Sequence, residues 1–420
     1  MRPAPLGVVG SGVAGSDPYR NPELFRWVGS MEGVPEWVPP DAPAGATLLP
    51  ESWRRRASDA LENAGAILPG LALALALAAL GEAITPALGE WLFGTTHSPI
   101  SPILLGILSG LAIRNTIGLP GLYDAGLIFA LKRVLRVGVA LLGVRLSLAG
   151  VASVGASAVP IVIACIVTAL AAVHVVSRAL GVSGRMGALI AVGTAICGNT
   201  AIVATGPVIR AERSEMSYAV GAITLFGLLA LIVYPFLSHA LFGGDPKLAG
   251  LFLGTSIHDT AQVAGAGLLY LQQFQDPTAL ETATVTKLLR NLFMLAVIPC
   301  MAFAYRGEGA GRDGLPLSAA MPWFVVGFVA MAGVRTVGDL GPEPMGGLLS
   351  AATWSGLIAQ VSTLSTWCLA VAMASVGLGT DVGRLRALGW RPLGLGLTAA
   401  LTVGVASALL IFALRAGGQV

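Results

Sequence analysis

The chain is short of charge. Of its 420 residues, 11% are Asp, Glu, Lys or Arg, against about 25% in a soluble domain. So few charges cannot cover the surface of a water-soluble fold of this size, which excludes an ordinary soluble enzyme. Lysine is scarcest, with three residues in all. No G-x-x-x-x-G-K-[ST] loop occurs, so ATP-driven transport by this chain alone is not expected. The net charge of +3 comes without a basic block interleaved with aromatics, which argues against nucleic acid as a partner. The four cysteines (Cys165, Cys197, Cys300 and Cys368) stand far apart in apolar segments. They form no CxxC or Cys/His cluster, so they read as small core residues, and no metal or cofactor is expected. Neither an H-E-x-x-H motif nor a Ser/His pair with an oxyanion context occurs, and the chain is not expected to be an enzyme.

What is present is apolar: 55% of the residues are hydrophobic and 55 are glycine. Glycine weakens a soluble helix, but in a membrane small residues let helix backbones approach closely. Residues 1–65 differ from the rest, being rich in Pro, Gly and charge, and are expected to form a flexible cytoplasmic tail without a secretory signal. Gly10, Gly12 and Gly15 within it spell G-x-G-x-x-G, but Pro18 and Pro22 follow too closely for the helix that a dinucleotide site needs.

Beyond the tail, eleven apolar runs follow one another, at 66–84, 100–117, 126–148, 158–178, 187–209, 217–240, 249–271, 284–305, 320–338, 346–380 and 393–415. Most have the ~20 residues needed to cross a bilayer. The fold class expected is an all-α membrane protein of about 11 transmembrane helices. With the N-terminus inside, the inner flanks collect 15 Lys and Arg and the outer flanks seven. That bias predicts a cytoplasmic N-terminus. Residues 66–99 then form an additional first helix and loop, and 100–245 and 246–420 form two five-helix repeats. Because five is odd, the second repeat would be inverted, as in many secondary transporters. This division pairs the run at 187–209 with the run at 346–380, each carrying a polar interruption.

The first interruption is Gly193-Thr194-Ala195-Ile196-Cys197-Gly198-Asn199-Thr200. Glycines and polar groups at mid-membrane depth predict local unwinding. Freed backbone groups must then line a polar cavity or bind a ligand. Cys197, Gly198, Asn199 and Thr200 are candidate substrate-binding residues. The second interruption carries Gln360, Ser362, Thr363, Ser365 and Thr366. Gln360, Ser362 and Thr363 are candidates there, the competing reading being hydroxyls bonded back to their own helix. The run at 249–271 holds His258, Asp259 and Gln262, the densest ionisable and amide group in any span. Intramembrane ionisable groups are costly and mark function by default. His258 and Gln262, at i and i+4, would share a helix face, and a His near an Asp could carry a proton during transport. Lys287 and Arg290, on one face with Asn291, would offset the charge of an anion or else snorkel to the headgroups. Lys132, Arg133 and Arg136 read as anchors at the membrane surface, whereas Arg145 lies deeper.

GTAICGNTAIVATGPVI (193–209), GTSIHDTAQVAGAG (254–267), VTKLLRNLFMLAVIP (285–299) and VGVALLGVRLSL (137–148) resemble the YeiH-type proteins, a sulfate exporter family. The resemblance covers roughly residues 66–415. It implies ten or eleven helices in an inverted-repeat fold akin to sodium/proton antiporters and bile-acid symporters, with two discontinuous helices crossing at mid-membrane. Alanine or serine is usual in that family where this chain has Asn199-Thr200, and glutamate is common where it has Asp259.

The function expected is a secondary active transporter of a small anion, of the sulfate or organosulfonate class, coupled to H+ or Na+. It would work by alternating access in a bacterial inner membrane. Small-residue helix faces would permit a homodimer. The alternatives are a cation/proton antiporter with Asp259 as the exchanging carboxylate, and a non-transporting membrane sensor or scaffold.

Overall fold

The computed structural model describes residues 53–93, 101–305, 323–340, 343–383 and 389–418, and among these every regular element is helical. Helix α1 (Trp53–Phe93) is followed by α2 (Pro102–Thr116), α3 (Asp124–Phe129) and α4 (Leu135–Leu142). A π-helical turn at Ala130–Val134 joins the last two. Next come α5 (Leu148–Ala179), α6 (Gly184–Ala195), α7 (Asn199–Val208) and α8 (Arg213–Leu241). Then follow α9 (Pro246–Ser256), α10 (Thr260–Phe274), α11 (Thr278–Leu292) and α12 (Met294–Ala304). The last three are α13 (Trp323–Gly338), α14 (Ala351–Gly379) and α15 (Trp390–Ala416).

The starts of several helices are written locally. Ser101, Ser147, Ser183 and Ser350 each accept a hydrogen bond from a backbone N–H of the first turn. Asp245 does the same for α9, with Pro246 at its first position. Such caps satisfy donors that have no partner inside the helix.

Among the described residues, six helices are long and apolar enough to cross a membrane: Ala64–Leu88 within α1, α5, Ser214–Leu241 within α8, Thr278–Ala304 spanning α11 and α12, α14 and α15. Their outer faces are apolar. Val167 and Val175 on α5, and Leu401, Val405 and Leu409 on α15, are all exposed. The interior instead collects Asn199, His258, Asp259, Gln262, Lys287 and Arg290. That is the reverse of a water-soluble domain, and it suits a chain whose solvent is lipid.

The helices sort into two groups. In one, α14 lies along α2 and α4, α1 packs on α2 and α3, and α13 packs on α4. In the other, α5 packs on α6 and α15, α8 on α6 and α10, and α9 on α11. At the α9–α11 contact, Gly250 and Gly254 face Thr282 and Thr286. A Cβ on either glycine would come within 2.6 Å of the facing threonine Cβ, so a larger residue would force the helices apart.

Three sequence expectations change. Helix α1 begins at Trp53, so residues 53–65, assigned to the tail by composition, continue the first helix. The Gly10–Gly15 fingerprint lies outside the described residues. The run at 346–380 is not interrupted: α14 is a continuous helix of 29 residues. Its hydroxyls find acceptors on the preceding turn, Thr363 on Ala359 O at 2.8 Å and Thr366 on Ser362 O at 3.0 Å. Back-bonding of this kind removes the need to unwind. The pairing of 187–209 with 346–380 is therefore replaced: the second break lies in the run at 249–271, between α9 and α10.

Candidate functional site

The two breaks meet. Helix α6 ends at Ala195, and Ile196 turns to φ −122° and ψ −95°. Gly198 follows at φ +68° and ψ −123° before α7 starts at Asn199. Only glycine enters that region readily. It is needed for a second reason, since a Cβ there would lie 3.2 Å from Asp259 Oδ2 and 3.3 Å from Asp259 Cα. The first break thus sits directly against the second.

Asp259 makes the second break. After Ser256 the chain passes through an extended Ile257 (φ −80°, ψ 139°) to Asp259, the N-cap of α10. Its Oδ1 accepts from Ala261 N–H at 2.9 Å, and Gln262 Oε1 accepts from Asp259 N–H at 3.3 Å. This reciprocal pair is a capping box, and it fixes where one helix stops and the next begins. His258 and Gln262 consequently do not share a helix face as their spacing suggested, because the chain leaves the helix between them.

Both breaks are closed from one side by α11. Lys287 and Arg290 have no exposed surface. Lys287 Nζ donates to Ile196 O at 2.8 Å, to Ile257 O at 3.1 Å and to His258 O. Arg290 Nε donates to Ala195 O at 2.7 Å, Nη1 to Thr255 O at 2.6 Å and Ile257 O at 3.1 Å, and Nη2 to Thr194 O. Thr194, Ala195 and Thr255 are in the last turns of α6 and α9, and Ile196, Ile257 and His258 lie just beyond them in the breaks; carbonyls at a helix end have no partner inside the helix and carry partial negative charge. Two cations on one helix therefore satisfy the carboxyl ends of both half-helices. Neither snorkels to the headgroups. Their bonds are to backbone carbonyls, so the offset of an anion's charge expected of them would act through the field and not by direct contact.

The amino ends differ from each other. Asp259 caps α10, but at α7 the N-cap is Gly198, which has no side chain to offer. Around it, Asn199 and Thr200 are buried. Asn199 Nδ2 donates to Thr224 Oγ1 on α8 at 3.2 Å, and Gln262 Nε2 donates to Thr224 O at 3.3 Å. Thr224 thus ties the two breaks to α8. Cys197 Sγ approaches Met294 Sδ at 3.8 Å, and Asn291 Nδ2 donates to Thr260 Oγ1 at 3.2 Å.

Several buried polar atoms in this region have no protein partner: Thr194 Oγ1, Ser256 Oγ, both ring nitrogens of His258, Thr286 Oγ1 and Asn291 Oδ1. Buried polar atoms in folded proteins are nearly always hydrogen-bonded. Their concentration at the breaks and on the facing turns of α11 is the pattern of a place built for a polar ligand or water.

Of the residues singled out from sequence, Cys197, Gly198, Asn199, Thr200, His258, Asp259, Gln262, Lys287 and Arg290 are brought together here. Gln360, Ser362 and Thr363 are not. They lie on the unbroken α14, where Gln360 and Thr363 are exposed. Arg145 Nη2 donates both to Ser362 O at 3.3 Å and to Thr366 Oγ1 at 3.0 Å. Arg136, expected to anchor at the membrane surface, is instead buried. Sequence reasoning missed Thr224, Thr194, Ser256 and Thr286. The Asp259-x-x-Gln262 spacing, a capping-box signature, was the available sign that a helix starts at that point.

The family described as "Conserved hypothetical protein 698" matches residues 62–396, a segment that holds both breaks and α11. The chain belongs to the UPF0324 family of membrane proteins. It is 34% identical over 326 residues to the UPF0324 membrane protein TauZ of Paracoccus pantotrophus, covering 76% of this chain and 88% of the relative. It is 31% identical over 341 residues to the UPF0324 membrane protein PA5383 of Pseudomonas aeruginosa, covering 78% and 88%. The corresponding protein FN0533 of Fusobacterium nucleatum is 29% identical over 325 residues, covering 76% and 93%. UPF0324 corresponds to the YeiH-type group that the four sequence motifs resemble, so the family expectation holds.

Proposed function

We propose that this UPF0324 protein is a secondary active transporter of a small anion, of the sulfate or organosulfonate class. It would work in a bacterial inner membrane with its N-terminus cytoplasmic and its flux coupled to H+ or Na+. The observation that carries the reading is the asymmetry at the crossing. Three of the four half-helix ends there are satisfied by side chains, and the fourth, the amino end of α7, has a glycine cap. Helix amino ends attract anions through their free N–H groups and partial positive charge. The buried Lys287 and Arg290 add to that field. The unpaired His258, Ser256 and Thr286 supply further polar contacts for an oxyanion.

Discontinuous helices that meet at mid-membrane are the usual site architecture of secondary transporters. Rocking or sliding of the group holding the breaks against the group holding α14 would expose the site alternately to the two sides. A thermal-shift screen of the purified protein against anions between pH 5 and 8 tests the binding step, since a ligand specific for the folded state raises its stability. An upward shift with sulfate or a sulfonate is expected. A shift with Na+ and none with any anion would favour the cation/proton antiporter.

A further inference from the structure

The charges fixed at the crossing can be counted. Lys287 fills its three donor positions with three carbonyls, the pattern of an ammonium ion. Arg290 is a guanidinium with every bond directed to a carbonyl, and it stays charged in proteins. Asp259 is a carboxylate acting as acceptor at the amino end of α10. The four half-helix ends contribute two partial negative and two partial positive charges, which cancel. Two cations and one anion leave one positive charge. His258 is buried with both ring nitrogens unpaired and its carbonyl bound by Lys287; a third positive charge beside two buried cations would be uncompensated, so its ring counts as neutral.

We infer that the substrate carries a single negative charge, as an organosulfonate does, and that the dianion sulfate is discriminated against. This rests on the anion reading above and narrows it. A monoanion at the uncapped end of α7 makes the crossing electrically neutral. A dianion would leave a net negative charge among buried side chains, where uncompensated charge is costly. Asp259 then has two roles: it sets the break by capping α10, and it sets the charge that the substrate must match.

The test is equilibrium binding to the purified full chain at pH 7 and matched ionic strength, with sodium ethanesulfonate and sodium sulfate as probes. Ethanesulfonate is expected to bind more tightly than sulfate by at least about tenfold, the scale of one unit charge a few ångströms away in a protein interior. Asp259→Asn keeps a good N-cap while removing one negative charge, and should move the preference toward sulfate by a similar factor. Asp259→Glu, which keeps the charge, should retain the preference of the parent. Sulfate binding as tightly as ethanesulfonate to the unaltered protein overturns the inference while leaving an anion transporter standing. Binding of neither anion overturns the anion reading itself, and this inference with it.

Discussion

Replacing Lys287 with methionine tests the idea that a buried cation holds two helix breaks together. Methionine keeps the length and apolar stem of the side chain and removes its three donors. The carbonyls of Ile196, Ile257 and His258 then lose the Lys287 bonds, and Ile196 and His258 have no other donor from α11. Removing one partner from a buried charged network costs about 3–5 kcal/mol, because the groups left behind are unsatisfied. For a chain of 420 residues, that corresponds to a fall in Tm of about 3–6 °C from the usual unfolding entropy per residue. Opening should be local to the breaks, so buried Cys197 should react faster with a small thiol reagent in the variant. The assay is thermal unfolding in detergent, with Cys197 labelling measured in a variant lacking the other three cysteines. An unchanged Tm together with unchanged labelling refutes the reasoning, since the bonds would then contribute nothing to holding the breaks.

Further outcomes follow from the same geometry. Gly198→Ala introduces a Cβ at positive φ and against Asp259, and should cost about 1–3 kcal/mol by strain while abolishing anion binding in the thermal-shift screen. Gln360→Ala and Thr363→Ala should leave anion binding unchanged, because both side chains are exposed on the continuous α14; loss of binding in either would return α14 to the site. Asp339, between α13 and α14, accepts from Trp354 Nε1 at 2.9 Å and pairs with Arg335 Nε at 2.5 Å. These two contacts hold its carboxyl below the ordinary aspartate range, the indole contributing most. Since the folded value is depressed, its small stabilisation is present above the unfolded value of about 4 and is lost as pH falls through the folded value. Trp354→Phe should raise the Asp339 pKa toward the unfolded value, measurable by NMR or by pH-dependent unfolding, and a pKa that does not move would remove the indole as the cause.

Much of this fold was legible because lipid imposes a simple rule. Long apolar runs must be helices, and polar groups inside them must be satisfied or functional. That rule placed the first break, where Gly198 and the polar residues beside it leave few alternatives to unwinding. It marked His258, Asp259 and Gln262 as candidates through their cost in a membrane. It failed at α14 because hydroxyls can be satisfied locally, so a run of serine and threonine reads the same whether a helix bends, breaks or continues. It failed again in pairing the breaks, since counting runs assumes that repeats follow one another in simple order. The role of Lys287 and Arg290 was not readable at all from spacing. A buried cation declares its charge in the sequence, but whether it faces an anion or backbone carbonyls depends on which helix ends the fold brings to it.

Flux through the reconstituted full chain decides whether the protein moves anions. Proteoliposomes loaded with ethanesulfonate or sulfate, and diluted into medium with and without pH and Na+ gradients, would be followed by release of radiolabelled anion. Saturable, gradient-dependent anion flux above that of empty liposomes is expected, and it should be lost in Gly198→Ala. Folded protein that supports no anion flux under any gradient, while exchanging Na+ for protons through Asp259, would contradict the anion reading.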